Sequence, residues 1–163
     1  MANYAVTNST LGGTGTQQAM TTTYKTLCAV YASTTGTTSL VRRGKIYDVM
    51  FGTNGTPADN AMEFDIARLT SPSTSALVTA NPLDPADSAM ASGSIANSTT
   101  EGTFSSSGEV FYIGINQRAS YRWVAAPGSE LVWPATSSAG LAIRARSPAY
   151  TSTATATILV QEQ

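Results

Sequence analysis

The chain has 163 residues, of which 42% are hydrophobic and only 12% charged, with nine basic and ten acidic side chains and no histidine. A length of this order suits one domain with its own core, and a net charge of −1 gives no electrostatic drive toward nucleic acid. The missing histidine excludes Ser-His-Asp and Cys-His catalysis, and a single cysteine leaves neither the usual zinc and copper sites nor an intramolecular disulfide.

In place of charge, Ser, Thr, Asn and Gln keep the chain wet, and β-branched Thr suits the solvent face of a strand. The opening MANYAVTNST lacks an apolar centre, and no run approaches the ~18 apolar residues of a membrane span. These features predict a soluble chain made and kept in the cytoplasm, with no membrane partner.

Residues 1–23 are rich in Gly and Thr and predict a flexible or extended N-terminal arm ahead of a single β domain over 24–163. The glycines at 12, 13 and 15 are not a phosphate loop, because no Gly-Lys-Ser/Thr follows and no apolar strand precedes them. TYKTLCAVYAS, residues 23–33, reads as a strand, although Leu27, Val30 and Tyr31 also fit helical spacing. Cys28 lies among apolar neighbours and is expected to be a buried small hydrophobe.

Residues 45–51 form a strand with Tyr47, Val49 and Phe51 on the apolar face. Arg42 and Arg43 stand just before it. NGTPADN is a turn, and AMEFDIARLT then alternates cleanly. Met62, Phe64 and Ile66 face the core, and Glu63 and Asp65 face water, about 7 Å apart. Two carboxylates at that spacing could serve a glycosidase, but acids on the outer face of a strand are usually only solvated.

Residues 71–102 are the least regular, with SALVTA a possible short strand and NPLDPADSA broken by two prolines. Asp84 and Asp87 there could help hold calcium, but the spacing of a calcium loop is absent and a local turn is the simpler role. The last third is dense in strands: GEVFYIGIN, ASYRWVAA, SELVWP, GLAIRARS and the final YTSTATATILVQEQ.

If Pro127-Gly128 centres a hairpin, Arg122 lies opposite Trp133 and could stack on it. One of the two tryptophans is expected in the core. The whole predicts an all-β antiparallel jelly roll or β-sandwich of about eight to ten strands.

Most of the nine basic residues fall in small groups: Arg42 with Arg43, Arg118 with Arg122, and Arg144 with Arg146. Together with Tyr121, Trp123 and Trp133 they have the composition of an interface, and they form the candidate capsid or subunit contact. No catalytic, cofactor-binding or metal-ligating residue is assigned, and no enzyme activity is expected.

The run FYIGINQRASYRWVAAPGSELVWPATSSAGLAIRARS, with its Thr/Ala-rich final strand, resembles the small capsid decoration (cement) proteins of tailed bacteriophages. The likeness is carried by residues 117–140, with NPLDPADSA and, more weakly, GKIYDVMFGT in support, together about half the chain.

The resemblance implies a jelly-roll virion protein on the outer face of a phage head. Its partner would be the major capsid protein, whose neighbouring subunits it would bridge, commonly as a homotrimer. It implies no catalytic residue. An alternative is a carbohydrate- or receptor-binding module of a phage fibre or spike, stacking sugars on Tyr121, Trp123, Trp133 and Tyr150.

Overall fold

A computed structural model describes residues 1–9, 17–33, 41–74 and 76–163. The glycines at 12, 13 and 15 lie outside the described residues. Among those described there is no helix. Two antiparallel sheets face each other as a β-sandwich.

The strands are β1 (Asn3–Thr7), β2 (Ala19–Met20), β3 (Lys25–Tyr31), β4 (Gly44–Asn54), β5 (Ala61–Ser71), β6 (Leu77–Val78), β7 (Asn81–Pro82) and β8 (Gly93–Ala96). They continue with β9 (Thr103–Asn116), β10 (Tyr121–Val124), β11 (Leu131–Trp133), β12 (Gly140–Arg146) and β13 (Ser152–Glu162). The seven-stranded sheet runs β10-β4-β13-β1-β7, with β11 also on β4 and β2 on β13. The six-stranded sheet runs β6-β8-β3-β12-β5-β9.

Alternation decides which face each strand buries. Met62, Phe64 and Ile66 of β5 are fully buried, as their period of two requires. On β13 the small Ala154 and Ala156 and the larger Ile158 and Val160 point inward, while Thr153, Thr155 and Thr157 take the other face.

Bulges on β4 and β3 break the parity that a regular strand would keep. On β4 the register with β13 skips Tyr47, so Ile46 joins Val49 and Phe51 in the core and Asp48 turns to the outer face. On β3 the register with β12 skips Leu27, so Leu27, Cys28 and Val30 are all buried in one cluster. Burial also pushes the Cys28 thiol well above its ordinary range.

The N-terminal segment differs from the arm its composition predicts. Residues 3–7 are β1, an inner strand paired with β13 on one side and β7 on the other, with Tyr4 and Val6 in the core. Just after it, Asn8 is buried and joins the two sheets. Its side-chain amide donates to Ala154 O at 2.9 Å and to Asn97 Oδ1 at 3.3 Å, and its Oδ1 accepts from Ala156 N. Asn97, in left-handed backbone at φ 53°, donates back to Asn8 O at 2.9 Å.

The irregular region 71–102 contains β6 where SALVTA suggests a strand, and also β8, whose alternation is masked because Ile95 is its one large side chain.

Pro127-Gly128 does not centre a hairpin. β10 and β11 both run antiparallel to β4, pairing in turn with residues 48–51 and 44–46, and the turn with Gly128 at φ 84° is an excursion between them. Arg122 therefore stands opposite Met50, not Trp133. Trp133 is fully buried beside Gly44, where a Cβ would overlap the indole ring. Gly44→Ala is expected to lower unfolding free energy by about 1–3 kcal/mol through overpacking, read by urea denaturation.

Candidate interaction surfaces

Charged and aromatic side chains gather in two places. The first is the flank where the two sheets end side by side, β9 closing one and β10 the other. Tyr121 and Trp123 point inward from β10, by the alternation that leaves Arg122 and Val124 exposed. Phe111 meets them from β9, with ring centroids 6.2 Å from Tyr121 and 6.1 Å from Trp123. Phe51 continues the cluster, 5.1 Å from Phe64 and 6.4 Å from Tyr121. Tyr121, Trp123 and Phe111 remain half-buried, because four-residue β10 is too short to roof fourteen-residue β9.

Arg122 is held flat on this flank. The β4 bulge turns Asp48 outward next to β10, and the Arg122 fork grips it, Nε to Oδ1 at 3.0 Å and Nη2 to Oδ2 at 2.5 Å. Asp48 is buried beneath an arginine side chain that is itself 61% exposed. The Asp48 bond and charge raise the Arg122 pKa further. Arg118 lies nearby in the exposed turn, 3.4 Å from Asp59.

The second place is the outer face of the six-stranded sheet. The β5–β12 register sets Arg144 opposite Asp65 and Arg146 opposite Glu63. The two acids that alternation sends outward are therefore not simply solvated. Asp65 is fully buried and accepts from Arg144 Nε at 2.9 Å and Nη2 at 2.5 Å. Glu63 pairs with Arg146.

Aromatic rings complete the cover. The Arg144 guanidinium lies between Tyr24 and Phe104, 4.8 and 4.3 Å from their centroids, and Arg146 also sits over Tyr24. Burial pushes the Asp65 carboxyl up, and the Arg144 bond and charge pull it back without cancelling the rise. Burial, followed by the Asp65 charge, also drives the Tyr24 hydroxyl up to about 12. A shallow recess of ≈ 410 Å³ opens beside these groups, bounded also by Glu101. That acid is already engaged by Thr26, whose Oγ1 donates to it at 2.6 Å.

The remaining candidates do not join either group. Arg43 is exposed, and half-exposed Arg42 lies 4.0 Å from Glu162 at the chain's C-terminal end. Glu162 is itself spent on the backbone of the 83–92 loop, accepting from Ala91 N at 3.2 Å and Ser92 N at 2.6 Å. Trp133 is core and offers no surface. Tyr150 is half-buried, with its hydroxyl donating to Ala61 O. Two of the four aromatics named for sugar stacking are thus buried or committed.

Asp84 closes a local turn, its Oδ1 accepting from Ala86 N at 2.9 Å. Among the described residues no three His, Cys, Asp or Glu side chains gather as metal ligands.

Arg144→Met would strand a buried carboxylate and is expected to cost about 3–5 kcal/mol at neutral pH. The folded Asp65 pKa already lies above its unfolded value, so its charge is a penalty above the folded pKa that is relieved as pH falls. Without Arg144 that pKa climbs further. The stability gap to wild type should therefore narrow between neutral pH and about pH 4, measured by denaturation at each pH.

Compared with protein families, curated proteins and solved structures, the chain matches none of them.

Proposed function

We propose that the chain is a structural virion protein of jelly-roll type that binds the outer surface of a phage head and stabilises the capsid by bridging major capsid subunits. The observation that carries this reading is the β9–β10 flank. Half-buried Tyr121 and Trp123 line its inner side, and between them on β10 Arg122 faces out with its fork already oriented by a buried acid.

Aromatic anchors with a pre-ordered arginine are the composition of binding hot spots, and little side-chain entropy is left to lose when Arg122 meets a partner. The β10 side of this flank, with Tyr121, Arg122 and Trp123, falls within the segment that resembles decoration proteins, residues 117–140. A net charge of −1 also lets many copies sit close together without strong mutual repulsion. The function in this reading is association free energy, and no turnover is involved.

Purified chain should co-sediment with mature heads that lack it and raise their resistance to thermal rupture. Trp123→Ala should weaken that binding about 30-fold, the loss of one hot-spot side chain, and the variant's own melting curve establishes that it is folded. Failure of the wild-type chain to bind such heads would remove the proposal. Specific binding to host-surface glycans instead would favour the receptor-binding alternative.

A further inference from the structure

Each sheet has two outer edges, and three of the four are short. β6 and β7 have two residues each, the latter ending in Pro82, and the last edge is split between four-residue β10, with Arg122 among its residues, and three-residue β11. β9 is different. It has fourteen residues, with no lysine, arginine or proline and one acid, Glu109. It pairs with β5 on one side, and among the described residues no strand pairs its other side.

Its first half is irregular against β5, but Phe111–Asn116 pairs without a break. Alternate residues of that regular half point their N–H and C=O groups away from β5. A long, apolar, unguarded edge of this kind is a template for another strand.

The side chains say which strand. Phe111, Ile113 and Ile115 form the core-facing row, yet all three are only half-buried. On the opposite row Tyr112 is 53% exposed, and a Cβ on Gly114 would meet nothing within 4 Å. The chain already shows what fills such a space. Gly93 on β8 stands opposite Tyr31 on β3, and the Tyr31 ring lies directly over it.

We propose that Phe111–Ile115 pairs antiparallel with the same stretch of a second copy, with Ile113 opposite its own counterpart on a two-fold axis. In that register Tyr112 stands opposite the partner's Gly114, and each ring fills the space over a glycine. Phe111 stands opposite the partner's Ile115, so the core-facing rows continue across the joint. The two Glu109 side chains fall on opposite sides of the axis, roughly 26 Å apart at ~3.3 Å per residue, and do not repel. The two six-stranded sheets become one. This pairing does not rest on the capsid reading, and its two-fold symmetry differs from the trimer that the resemblance implies.

Light scattering on a sizing column tests it directly with the full chain. The expected mass is twice the 16.9 kDa of one chain. Gly114→Lys should convert the wild-type dimer to a folded monomer whose melting temperature no longer depends on concentration, because the new side chain meets nothing in its own chain but occupies the place of the partner's Tyr112. A Tyr112→Cys/Gly114→Cys variant should give a disulfide-linked dimer on oxidation. A wild-type mass of one chain or of three chains would overturn the pairing, as would a Gly114→Lys variant that stays dimeric.

Discussion

The buried carboxylate of Asp65 is the constraint around which the six-stranded sheet is arranged. A charge with no exposure must be met by a partner of fixed geometry, and Arg144 meets it with both arms of its fork. Only one register of β5 on β12 allows this. A slip of one residue would move Asp65 to the core side and Phe64 to water. The neighbouring rung, Arg146 with Glu63, repeats the requirement two residues on. With β5 and β12 so fixed, β9 and β3 on either side inherit their alignment, and Met62, Phe64 and Ile66 are delivered to the core. Such a pair contributes more to choosing one arrangement than to net stability, since its desolvation offsets much of its attraction.

The two sheets are held together differently at different places. Near the start of β13, Asn8 and Asn97 bind each other and the backbone of β13, a polar staple with its amide groups satisfied. At the β9–β10 flank the sheets meet through the rings of Phe51, Phe111, Tyr121 and Trp123. That flank is where apolar side chains reach solvent and where Arg122 is presented, so the feature that closes the core incompletely is also the one that offers a binding surface.

Much of this was legible from residue order. The alternation of β5 and β12, the burial of Cys28 and one core tryptophan all follow from period-two patterning and composition. The pairing of Glu63 and Asp65 with Arg146 and Arg144 did not, because periodicity within one strand carries no information about which strand lies beside it. Two acids two apart and two arginines two apart, each on the outer face of a strand, were the available signal. The bulges at Tyr47 and Leu27 depend on the partner strand's register and leave no mark in local sequence. β1 was hidden because Tyr4 and Val6 are its two large side chains in a run otherwise polar or small. The Pro-Gly turn suggested a hairpin, but β4 is long enough to pair with β10 and β11 end to end, and that tertiary choice overrode the local one.

A double-mutant cycle between Asp65 and Arg144 tests the central constraint most directly. Unfolding free energies would be compared for wild type, Asp65→Leu, Arg144→Met and the double variant. Coupling of about 2 kcal/mol or more, with the double variant recovering most of the loss of Arg144→Met, is the predicted result. Effects that add to within about 0.5 kcal/mol would show that the pair does not act as a unit and would contradict the account.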